Sequence, residues 1–308
     1  MSPGYLRKTL FEKATTQQSV LKWILVFIFF NVILVPNAFA QSHTKDSIID
    51  LGNNGDQMFP AWQPQGRYLA YQSNQNGNWD IFLYDLKSNK ISQVTFSEED
   101  DEHPVWVPGK NALVYDSKRD GKWHIYYIDL DTGKEKLLFN QEVEAREASF
   151  TPSRHLVAFS GFDPSSNHWQ IFTYDLVFNN LNLLTMLQGD AHFPVFNHDG
   201  KEIAYNVRDF TGNHYIQLTN WFGDFFKFLT KGRGKVSWSP DSWHLVFILK
   251  VGGSESIIRL GQDDSDFEKL YTSKTALSGP VLSPDGKEIA FSQQTASGWK
   301  IMVKKLSI

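Results

Sequence analysis

The chain contains no cysteine, which excludes a disulfide framework, a cysteine nucleophile and a lipid anchor on a cysteine. It has no Gly-x-Ser-x-Gly elbow and no glycine-rich loop opening a helix, so neither a serine hydrolase nor a phosphate cradle is expected. A basic excess is also missing: 30 Lys and Arg stand against 34 Asp and Glu, and beyond residue 40 the balance is 26 against 33, a net −7. Such a protein has no general attraction for nucleic acid or anionic lipid. Nor is there an apolar run of the roughly 20 residues that span a bilayer; the longest, Trp23 to Val35, is shorter and broken at Asn31. Arg7, Lys8, Lys13 and Lys22 precede it, and "PNAFA" follows with Ala38 and Ala40 at small-residue positions. This is the pattern of a signal peptide over residues 1–40, cleaved near Ala40, which would leave residues 41–308 periplasmic or secreted without stable membrane insertion.

Aromatic residues are abundant instead, with 10 Trp, 11 Tyr and 24 Phe, together with 21 Gly and 12 Pro to make turns. They recur in register. "WQP" at Trp62 is matched by "WVP" at Trp106, "FTP" at Phe150, "FNH" at Phe196, "WSP" at Trp238 and "LSP" at Leu282, at steps of 44, 44, 46, 42 and 44 residues. Each copy continues into a turn and an alternating strand such as "GRYLAYQS" or "GKEIAFSQ", and a third strand opens at Trp79, Trp123, Trp169, Tyr215 or Trp299. A fourth short strand follows. Six four-stranded units at this period predict an all-β, six-bladed β-propeller with blades starting near residues 58, 102, 146, 191, 234 and 278. The last repeat has only three strands, and "DSIIDLG" at 46–52 is the expected fourth, pairing beside Ile301–Leu306 to close the ring.

"WSPDSWHLVF" and "LSPDGKEIAF", with the strand ends "YDL" and "IDL", resemble the WD40-like (PD40) repeats of the TolB β-propeller family over about residues 46–308. The resemblance implies the fold directly and the function loosely. It is compatible with a non-catalytic exported scaffold that binds a cell-envelope protein, and alternatively with a metal-dependent saccharide lyase or a saccharide- or small-ligand-binding propeller using the channel mouth.

In such a ring the loops leading into the innermost strands surround one mouth of the central channel, where a rigid scaffold presents variable side chains. The candidate binding residues there are Asp56, Asp101, Glu102, His103, Arg146, Glu147, Asp190, His192 and Arg233. His103 and His192, on equivalent loops, are the alternative metal ligands, but no third ligand is identifiable, and neither a metal nor another cofactor is expected. The acidic run from Glu98 to Glu102 suits a basic partner or plain solvation. Aromatics at fixed repeat positions are read as packing between blades. The exception is "NWFGDFFKF", where Trp221, Phe222 and Phe225, with Phe226 and Phe228, outnumber the sites that alternation can bury and suggest a surface patch.

Overall fold

The structure is a computed structural model that describes residues 47–49, 51, 55–140, 143–263 and 266–306. The export segment expected over residues 1–40 lies outside them. Each repeat folds as one antiparallel sheet of four strands, and the six sheets form a six-bladed β-propeller. In every blade the chain runs from the innermost strand outward. The inner strands are Gln57–Trp62, Asp101–Trp106, Ala145–Phe150, Gly189–Phe196, Arg233–Trp238 and Leu277–Leu282, and each touches the next around the ring, the sixth touching the first.

The alternating second strand explains why the blades stack. It carries Tyr71, Tyr115, Phe159, Tyr205, Phe247 and Phe291 at one repeat position, none more than 1% exposed. Each ring belongs to a cluster shared with a neighbouring blade, so every one of the six blade interfaces has its own core. Burying such a ring is worth roughly 2 kcal/mol, which makes these columns the main cement of the ring. The third-strand column is different. Trp79, Trp123, Trp169, Tyr215 and Trp299 are only half-buried, so the expectation of inter-blade core fails for them. They open the third strand at the end where loops enter the inner strands, and part of each ring faces solvent.

The turn after each Trp-x-Pro segment needs one residue in the left-handed region. Gly66, Gly109, Gly200 and Gly286 supply it in four blades, and Arg154 (φ 65°) and Ser242 (φ 60°) adopt it in blades three and five. Closure follows the sequence expectation: Ser47 pairs with Val303 and Ile48 with Met302, which adds the fourth strand to blade six. The Trp299 amide donates to Asp56 Oδ1 at 2.7 Å and Lys300 Nζ to the Gly55 carbonyl at 2.9 Å, fastening the same seam.

Candidate functional site at the channel

All six inner strands slip register just before their Trp-x-Pro aromatic. The slip brings Phe59, His103, Glu147, Phe193 and Gly279 into the left-handed region, with φ between 51° and 61°. Bulges of this kind re-aim side chains. Here they turn one residue per blade toward the channel.

Phe59 and Phe193, from opposite blades one and four, stack across the channel with centroids 5.8 Å apart. The His103 imidazole stands edge-on to both, at 4.3 and 5.4 Å. Space is so short that a Cβ on Gly279 would lie 3.2 Å from the Phe59 ring. The channel is therefore blocked, and it divides into a mouth at the loop end and a funnel at the turn end.

At the mouth, the predicted residues join into one network. His103 Nδ1 lies 2.8 Å from Asp116 Oδ2, and Arg146 donates to Glu102 at 2.7 Å while its Nε stands 3.6 Å from Asp116. The Arg146 guanidinium also lies over the Trp123 ring, 3.9 Å from its centroid. Glu147 accepts from Ser160 Oγ at 2.6 Å and the Phe193 amide at 2.9 Å, and meets His192 Nδ1 at 3.1 Å. Burial alone would raise the Glu147 carboxyl, but His192, His103 and Arg146 hold it well below the usual carboxylate range. Burial likewise opposes the charged His192 imidazole, yet Glu147 outweighs it and raises its pKa. The two histidines considered as metal ligands thus each face a carboxylate of their own, and among the described residues no three His, Asp or Glu side chains converge as a metal cluster.

Other predicted residues have work elsewhere. Asp101 is fully buried, with neither carboxylate oxygen hydrogen-bonded among the described residues, so it presents nothing at the mouth. Its strand alternation turns it between blades one and two, and burial pushes its carboxyl up to about 6. Asp56 and Asp190 accept the amides of Trp299 and Trp169, Asp190 also meeting His168 Nδ1 at 3.2 Å. Asp100 holds the Trp79 amide at 3.0 Å in the same way. These acids clasp each third strand to the next blade. Arg233 is tied to Glu255 and to the Leu277 carbonyl. On blade four, Trp221, Phe222, Phe225, Phe226 and Phe228 are between 39% and 64% exposed.

Sequence reasoning missed the second space altogether. On the turn side of the plug the channel widens into a funnel of about 640 Å³, lined by the Trp-x-Pro segments and floored by His103, Glu147, Phe193 and Lys235. Its signal was the Trp-x-Pro repeat itself, read for period rather than for the surface it makes.

Comparison with known proteins agrees with this architecture. Residues 41–187 match the family model of the TolB β-propeller domain. No curated protein sequence matches the chain. TolB of Acinetobacter baumannii superposes with a TM-score of 0.60 at 23% identity over 68% of this chain and 53% of that one. The chain thus spans about half the length of that relative. A protein assigned as TolB from Agrobacterium tumefaciens gives 0.63 at 18% identity, covering 82% and 91%, and oligogalacturonate lyase of Vibrio parahaemolyticus gives 0.61 at 10%, covering 87% and 96%. Residues 41–187 are thus similar to the TolB β-propeller domain, and the ring as a whole shares its propeller fold with these structures.

Proposed function

We propose that this TolB-like propeller is an exported, non-catalytic scaffold that docks another cell-envelope protein on its loop-end mouth. The observation that carries the reading is the make-up of that mouth. Half-exposed Trp79, Trp123, Trp169, Tyr215 and Trp299 stand at the same end as the Arg146, Glu102 and His192 network. Trp, Tyr and Arg are the residues that anchor protein interfaces, because they bring large contact area with a polar handle. The mouth is also shallow. Phe59 and Phe193 close the channel beneath it, which suits a broad partner surface better than a saccharide chain threaded to a buried catalytic centre. Export is inferred from the basic, apolar and Ala-x-Ala segments of residues 1–40.

The test is photocrosslinking in intact cells, with the crosslinker placed at Glu102 or Arg146 and, as control, at exposed Lys90 on the outer edge of blade one. A discrete adduct from the mouth positions that is weakened by Arg146→Glu supports docking. Adducts no stronger at the mouth than at Lys90 would reject it. Cleavage of an oligosaccharide panel that is lost on changing mouth residues would replace it with the lyase alternative.

A further inference from the structure

We infer that the turn-end funnel is a binding site for a small apolar monoanion, a carboxylate on an aromatic or aliphatic body, whose charge meets Lys235 on the funnel floor. The site faces the opposite end of the ring from the mouth and does not depend on the docking reading. Its size is the first argument. About 640 Å³ is within the range of small-ligand pockets, and the Phe59–Phe193 plug makes it blind rather than a passage.

Its chemistry is the second argument. The walls are the repeating Trp62, Trp106, Phe150, Phe196, Trp238 and Leu282, in five repeats with the proline that follows, a mainly apolar surface. Most polar groups among them are already engaged within the protein, although the buried Trp62 indole N–H has no partner among the described residues. Ser149 Oγ accepts from the Phe196 amide, Ser237 Oγ donates to the Pro280 carbonyl, and the Trp106 and Trp238 indoles donate to the carbonyls of Ala61 and Val195. On the floor, Glu147 is held by Ser160, the Phe193 amide and His192, and His103 by Asp116.

Lys235 stands apart because it carries a charge. Among the described residues its ammonium forms no hydrogen bond and no ion pair within 4.0 Å, and its part-buried side chain lines the funnel. Burial brings its pKa down to about 8, against the longer-range pull of Asp116 and Glu147. A part-buried cation on the floor of an apolar funnel has no counter-charge in contact with it, and an anionic head on an apolar body supplies both complements at once. A neutral apolar molecule would leave the ammonium unpaired, and a hydrophilic anion would leave the walls wet.

A free organic acid and the C-terminal carboxylate of an apolar peptide share this chemistry, so the experiment has two arms. The full chain is titrated calorimetrically with 4-phenylbutyrate and its neutral amide, and with N-acetyl-Phe-Phe as acid and as amide. The acids are expected to bind at least about tenfold more tightly than their amides. Lys235→Met should abolish that preference and Lys235→Arg retain it, while Val281→Trp, narrowing the funnel, should weaken every ligand. Thermal melts of the variants establish that they fold. Preference for phenylbutyrate points to a free acid and preference for the dipeptide to a chain terminus, and either supports the site. Equal binding of acid and amide, an unaltered preference in Lys235→Met, or no binding of any probe at millimolar concentration would overturn it.

Discussion

Asp101→Asn should stabilise the protein above neutral pH, a direction opposite to that of most substitutions at fully buried positions. The carboxylate is 0% exposed, among the described residues no hydrogen-bond donor reaches either oxygen within 3.5 Å, and burial raises its pKa from 3.8 to about 6. Ser117, Thr95 and Arg119 soften that penalty without cancelling it. Because the folded state keeps the proton at pH values where the unfolded chain has lost it, this group favours folding most below about pH 4. Its contribution then falls as pH rises to about 6 and is level beyond. Two pH units at about 1.4 kcal/mol each amount to roughly 3 kcal/mol. A neutral amide in place of the Asp101 carboxylate would remove that loss. Urea unfolding from pH 4 to 8 should give matching stabilities at the acid end and an advantage to the variant of up to about 3 kcal/mol at pH 7.5, or roughly 6 to 12 °C in thermal midpoint. A variant no more stable than wild type at pH 7.5, with the same slope between pH 4 and 6, would refute the reasoning.

Three further outcomes are expected. Asp190→Ala, which strips the Trp169 amide and His168 of their acceptor, should lower stability by about 1–2 kcal/mol in thermal denaturation, and an unchanged midpoint would mean the clasp carries no weight. In NMR titration His192 should show a pKa above 6.5 that falls in Glu147→Gln. The raised imidazole stabilises below 6.5 and loses this as pH rises through its folded value, whereas the lowered Glu147 stabilises above 4.5 and loses this as pH falls, so the pair is strongest between pH 4.5 and 6.5. An unmoved His192 in the variant would break that link. Arg154→Gly, at φ 65°, should raise stability by about 1 kcal/mol by relieving a left-handed non-glycine residue, and a loss in chemical denaturation would show that the Arg154 side chain matters more than its backbone.

The ring was legible because its two signals are local and periodic. Trp62, Trp106 and Trp238 with their following prolines mark the blades, and the alternation in "YLAYQS" and its copies marks the buried face. The site was harder to read for a geometric reason. Asp100, Asp101 and Glu102 look like one acidic loop, yet successive strand residues point in opposite directions: Asp100 clasps Trp79, Asp101 is buried between blades, and only Glu102 reaches Arg146. The inner-strand bulge adds a second shift, deciding that Phe59, His103 and Phe193 meet in the channel, and nothing in a period-two pattern announces an extra residue. His103, Arg146, Glu147 and His192 were found because charged side chains in those loops had few other places to go.

Because blade six borrows Ser47–Ile48 from the opposite end of the described chain, the ring has no complete last blade until Met302 and Val303 have left the ribosome. During synthesis five finished sheets would wait beside a sixth with a bare edge, a configuration open to pairing with other chains. The two residue pairs, the Asp56–Trp299 bond and the core between blades one and six then convert an arc into a ring. Joining segments some 250 residues apart adds only a slowly growing entropic cost, so the rate of this step should depend on how well the arc already holds its curvature. The five blade interfaces already present in the arc are, on this view, also the template that brings its two ends within reach of each other.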